Sequence, residues 1–277
     1  MHHFEKFDIR VFDKFIDKFA DRYIRQRSEL FADINDDQLK QIESAGCGFD
    51  LNGLMKIIRQ FSGVTDLKRE KGEKPSILND IYRSDLGELL TTYYFEEKVS
   101  PDRRFLIPLK NISYRERFDL PGRGIDTIGY RVVDQKVNIL IGEAKVSSQK
   151  ENPPHVVDKN NDSIYKTQKS HHENIAMVLQ RMTDYMRRLP ISSHLIIIAG
   201  VVINIYKGDT EKYDITYGCG LVRDYQCADE TKDFGKMKSL AHEFEPGMID
   251  FAIFSFTEKT IDETVDMFYQ KVRELVQ

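Results

Sequence analysis

Cysteine is scarce in this chain: Cys47, Cys219 and Cys227 are the only three, an odd number without C-x-x-C spacing. That argues against a disulfide framework and a zinc ribbon, and a reducing, cytoplasmic setting fits best. No run of about 18 apolar residues is present, so no membrane partner is expected. The longest apolar candidate, Leu195 to Ile205, is broken by Gly200 and Asn204 and reads as a buried strand. The N-terminal MHHFEKFDIR is charged and lacks a hydrophobic signal core, which argues against secretion. No internal repeat, low-complexity tract or G-x-S-x-G motif occurs, and no cysteine has a neighbouring histidine motif, so triad chemistry is not indicated. Basic charge is not in excess either. With 41 Lys and Arg against 45 Asp and Glu the net charge is −4, so any nucleic-acid contact must come from a local patch or a partner.

What is present is an ordinary globular composition, 40% hydrophobic and 31% charged, in 277 residues that can bury a sizeable core. Asp13 to Ser28, Asp36 to Ala45 and Asn52 to Phe61 pattern as short helices and make a helical N-terminal region, residues 1–75. The charged DLKREKGEKP, Asp66 to Pro75, reads as a hinge to the remainder, residues 76–277. There, Ser76 to Glu97 is helical, with Leu86, Leu89, Leu90 and Tyr93 at helical spacing. Phe105 to Ile112, Ile125 to Val133 and Val137 to Val146 follow as three strands. A loop from Glu151 to Asp162 leads to a long helix, Ser163 to Leu189, whose apolar stripe includes Val178, Met182 and Met186. Ile249 to Phe256 reads as a strand and Thr260 to Val276 as a closing helix, while Tyr213 to Gly235 gives no assignment. The sum is an α/β fold, a mixed central sheet flanked by helices in the order αβββαβ.

The chemistry concentrates in GRGIDTIGYRVVDQKVNILIGEAKVSSQ, Gly122 to Gln149. With Asp134 and Gln135 as a two-residue hairpin loop, Val132 faces Val137, Tyr130 faces Ile139, Ile128 faces Ile141 and Asp126 faces Glu143. Lys145 falls on the same side, because side chains alternate along a strand. Asp-Gln is a poor type I′ pair, which leaves room for a longer loop. The core-facing row therefore changes from aliphatic to ionic at one end of the sheet. Two carboxylates facing each other at about 4 Å repel by roughly 4 kcal/mol at an effective dielectric near 20. A divalent hard cation offsets that, and Mg2+ takes one or two carboxylates and completes its shell with water and phosphate. Lys145 beside it is a point charge suited to a phosphate oxygen or an attacking water. The blander alternative is an exposed Glu143–Lys145 ion pair at a strand end with Asp126 as a turn residue. Against it stand the apolar strands, the shared face and the small Gly142 and Ala144 flanking the glutamate.

From Pro101 to Ile125 six basic residues stand against three acidic ones, with Tyr114 and Phe118 interleaved. Most of these side chains read as a solvated face. Arg123 is the one expected to reach a phosphate, three residues before Asp126.

GID followed by a strand, a turn and ILIGEAKV resembles the active-site hairpin of the PD-(D/E)XK nuclease superfamily, whose restriction-endonuclease-like core has the same element order. Ile125 stands where that pattern has proline, although Pro121 lies nearby. The resemblance implies Asp126 and Glu143 as ligands of Mg2+, or of Mn2+ in its place, with Lys145 serving the hydrolytic water. It further implies a metal-ligand role for Glu88 on the preceding helix, otherwise a solvated helix residue, and a site-lining role for Gln168 and His172 on the following one. The adjacent His171 and His172 point about 100° apart on a helix and do not suggest a metal clamp. More narrowly, LGELLTTYYFEE, RGIDTIGYR and ILIGEAKVSSQ resemble the HamA family, nuclease subunits of the Hachiman antiphage defence system. That likeness covers roughly Ser76 to Lys150 and implies a Mg2+-dependent DNase acting on DNA with a helicase subunit, HamB, as partner, and no small-molecule cofactor. The alternatives are a catalytically silent nuclease-fold subunit that binds a helicase or DNA, and a sequence-specific restriction endonuclease.

Overall fold

The computed structural model describes residues 2–10, 12–28, 77–113, 124–188, 192–257 and 259–276, together with 40, 41, 44 and 53. The elements are β1 (His3–Ile9), α1 (Phe12–Ser28), α2 (Ile77–Tyr93), β2 (Leu106–Lys110), β3 (Thr127–Val133) and β4 (Lys136–Ser147). They continue as α3 (Ile164–Glu173), α4 (Ile175–Arg188), α5 (Ser193–Lys207), β5 (Tyr213–Asp224), β6 (Met248–Phe256) and α6 (Ile261–Val276). No helix among the described residues is long and apolar enough to cross a membrane.

Six strands form one mixed sheet in the order β1-β6-β5-β4-β3-β2. Its β1, β6, β5 and β4 run parallel, while β3 and β2 are antiparallel additions at one edge. Helices cover both faces, as buried parallel strands require. On one face Phe19 and Tyr23 of α1, Leu86, Leu89 and Leu90 of α2 and Val265 and Phe268 of α6 pack on Leu140, Val222, Ala252 and Phe254. On the other, Ile164 of α3, Val178 and Met182 of α4 and Ile198 and Val201 of α5 pack on Ile128, Ile139, Ile141, Cys219 and Leu221.

The hairpin register is the one expected: Ile128 pairs with Ile141, Tyr130 with Ile139 and Val132 with Val137. The loop is two residues long, with Asp134 at φ 48° and Gln135 at φ 65°, so the positive φ of a type I′ turn is met without glycine.

Three expectations are corrected and one unassigned stretch is filled. Leu195 to Ile205 is helical, part of α5. The Ser192 hydroxyl accepts from the Leu195 amide at 3.3 Å to cap it, and Gly208 ends it in the left-handed region. Leu195, Ile198, Val201 and Ile205 are buried while Ile196, Ile203 and Tyr206 are exposed, a helical period that a run of β-branched residues conceals. The strand that completes the core is β5, within the unassigned stretch. Its Gly220 permits close approach of α2: a Cβ there would lie 1.8 Å from Thr91 Oγ1. The helix from Ser163 to Leu189 is two, broken at Asn174. Finally, the N-terminal region is not only helical, because β1 extends the sheet beside β6 and α1 packs against α6. The expected hinge lies outside the described residues, as do the expected helices at 36–45 and 52–61 apart from 40, 41, 44 and 53.

Candidate functional site

A cleft of about 840 Å³ opens at the end of the sheet where β4 leaves the core. Glu88 and Arg83 of α2, Asp126, Glu143 and Lys145 of the hairpin, Asp162, Arg181 of α4 and the segment Ser147–Gln149 all line it. Two local devices set Asp126. Gly124 has φ 126° and lies against the Tyr185 hydroxyl, which donates to the Ile125 carbonyl at 3.4 Å. The Asp126 carbonyl then accepts from the Asn111 amide at 2.9 Å.

The carboxylate of Asp126 accepts the Ala144 amide proton at 2.8 Å, taking over from the backbone ladder just past the Thr127–Gly142 pair. Asp126 is thereby fixed at the amide between Glu143 and Lys145. Lys145 Nζ lies 3.1 Å from Glu143 and 3.2 Å from Asp162, the latter exposed. Glu143 is buried, and Glu88, 3% exposed, is buried too rather than solvated. Ser84 donates to Glu88 at 3.4 Å.

The electrostatics are lopsided. Burial first, and then the Asp126 charge, push the Glu143 carboxyl up to about 8, and Lys145 offsets only part of this. Burial opposes the charge on Lys145, but the charges of Glu143, Asp126 and Asp162 outweigh it and hold the ammonium above its ordinary value. One ammonium thus faces more carboxylates than it can neutralise. Among the described residues no three His, Cys, Asp or Glu side chains converge closely enough to hold an ion as a group. Mg2+ does not need three: oxygen donors from Asp126 and Glu143, with water and a phosphate, satisfy its preference. The donor set and its surplus negative charge fit such an ion.

The remaining expected residues fall elsewhere. Gln168 is fully buried, and its amide donates to the carbonyls of Ile141 at 3.0 Å and Gly218 at 2.8 Å, tying β4 to β5. His172 bonds the Tyr217 hydroxyl at 2.8 Å. Neither lines the cleft; Thr167 of the same helix does, as does Arg181 of α4. Arg123 lies outside the described residues.

Sequence reasoning also missed Arg223 of β5, which is fully buried. Its guanidinium binds Asp233 at 3.0 Å, the carbonyls of Ser147, Gln149, Glu151 and Cys227, and the Asn152 side chain. The clamp fixes the chain leaving β4, and with it the Ser147–Gln149 wall of the cleft. Its signal was a charged residue inside a strand, but most of its partners are backbone atoms distant in sequence.

No curated protein and no solved structure compared with the chain matches it. A family model, HamA, matches residues 2–272, nearly the whole length and both faces of the sheet. The chain belongs to the HamA family.

Proposed function

We propose that this protein is a Mg2+-dependent deoxyribonuclease on a restriction-endonuclease-like core, the effector subunit of a Hachiman defence system that receives DNA from a partner helicase. The observation that carries the reading is the placement of Asp126 against the Ala144 amide, between Glu143 and Lys145 and beside an open cleft. Membership of the HamA family supports the defence role.

Asp126 and Glu143 would hold the cation, with Glu88 close by in the same cleft. When bound, Mg2+ supplies Lewis-acid stabilisation of charge on the phosphoryl oxygens and a more acidic water. Lys145, kept in its charged form, has three N–H donors and no lone pair, so it cannot take a proton from water. It acts by donation, holding a non-bridging oxygen or orienting the attacking water, and stabilises charge that grows in the transition state. Hydrolysis joins the water oxygen to phosphorus as the bridging P–O bond breaks. The buried Ile128, Ile139 and Ile141 behind the ionic row form a dry, rigid floor beneath these groups.

The test is cleavage of supercoiled plasmid DNA with Mg2+. The parent is expected to cut, and Glu143→Ala and Lys145→Ala to lose cutting by at least about 10³-fold with circular dichroism and thermal unfolding retained. Full cutting by either folded variant would remove the mechanism. Discrete fragments in place of a smear would redirect the reading to sequence-specific restriction.

A further inference from the structure

Two arginines line the same cleft from opposite layers of the fold. Arg83 belongs to α2, which packs on one face of the sheet, and Arg181 to α4, which packs on the other. Between them, on β4, lies Lys145. The cleft thus passes across the end of the sheet with a cation at each side and one at its middle.

The three cations differ in what they already bind. Lys145 is engaged by Glu143 and Asp162. Arg83 donates to the Ser148 hydroxyl at 3.0 Å and lies 3.7 Å from the exposed Asp262, a loose pairing that leaves its fork largely uncommitted. Arg181 makes no hydrogen bond and no ion pair among the described residues. The group it acts on is His171, whose imidazole is pushed down to about 4, by burial first and by the Arg181 charge second. Arg181 therefore lines the cleft with no anion bonded to it among the described residues.

A polyanion approaching the carboxylates of Asp126 and Asp162 meets like charge, so cations beyond the centre must hold it. A guanidinium presents a planar fork that matches phosphate oxygens two at a time, which a lysine does not. We infer that Arg83 and Arg181 bind the phosphates on either side of the scissile one, so that the substrate is the interior of a polynucleotide strand crossing the cleft from the α2 layer to the α4 layer. This assignment rests on the nuclease reading of the centre. It gives the strand a direction of travel that Asp126, Glu143 and Lys145 alone do not define.

The experiment measures binding apart from cutting. A labelled DNA oligonucleotide is titrated by fluorescence anisotropy with Ca2+ replacing Mg2+, over a salt series, for the parent, Arg83→Gln, Arg181→Gln and the double variant. Each single change is expected to weaken binding about tenfold, and to lower the salt slope by roughly 0.7 for single-stranded or 0.9 for duplex DNA, the value of one phosphate contact. Arg181→Lys, which keeps the charge and loses the fork, should fall between. In Mg2+ the same variants should raise KM with kcat within about twofold. Unchanged affinity and slope in the folded variants would overturn the inference, as would a loss confined to kcat. If the parent binds with these arginines but does not cut, the nuclease reading fails and the binding assignment stands.

Discussion

On β5, Arg223 is a buried cation with all five N–H groups engaged, its charge matched by Asp233 and its remaining donors by four backbone carbonyls and the Asn152 side chain. On the adjacent β4, Lys145 faces Glu143 and Asp162 within 3.2 Å and feels Asp126 as well, and the cluster stays net negative. Both sit at the same end of the sheet, where Ser147 pairs with Arg223 and Lys145 with Leu221. The first is closed and the second is open. Matched buried charge holds segments together, whereas surplus buried carboxylate costs stability until a cation arrives. That difference separates architecture from site more sharply than burial does.

The comparison can be broken in three ways. The largest effect concerns the open cluster: Glu143→Ala should abolish plasmid cutting without lowering stability, because it removes a carboxylate the fold does not need. The next concerns the closed one. Arg223→Ala strands Asp233 and several carbonyls, and should cost about 3–5 kcal/mol in urea unfolding. A loss as small as an exposed ion pair gives, below about 1 kcal/mol, would mean that the clamp is not structural.

The smallest is a slope with pH. The folded-state pKa of Glu143, about 8, lies above the ordinary 4.5, so between those values the folded chain keeps a proton that the unfolded chain has lost. Its contribution to stability therefore falls as pH rises through that window. In EDTA, melting temperature against pH should decline less steeply for Glu143→Gln than for the parent. Equal slopes would show that the carboxyl is not perturbed.

The parts legible in the sequence were those set by two-residue alternation. ILIGEAK and GIDTIGY fix the face of every residue once the turn is placed, so the register could be written down in advance, although the ladder ends at Thr127–Gly142 and the Asp126 carboxylate bonds the Ala144 amide. The two central errors came from residues chosen for tertiary contact. Gly218 and Gly220 weaken β5 as a strand signal because a helix lies against them, and the β-branched α5 hides its period in uniform apolarity. β1, at the sheet edge and half-buried along most of its length, lacks the alternation that marks a strand. Gln168 was read as a polar residue facing a site, but its amide is used inside, on two strand carbonyls. Arg83 and Arg181 stayed invisible because nothing local to either position marks it as facing the cleft.

The most direct measurement is a calorimetric titration of Mg2+ or Mn2+ at pH 7 in two buffers of different ionisation enthalpy. One ion per chain should bind with proton release, since Glu143 must surrender its proton to become a ligand, and Asp126→Asn should lose that binding. Undiminished binding in Asp126→Asn, or no binding by the parent, would contradict the assignment of the open cluster as a metal centre.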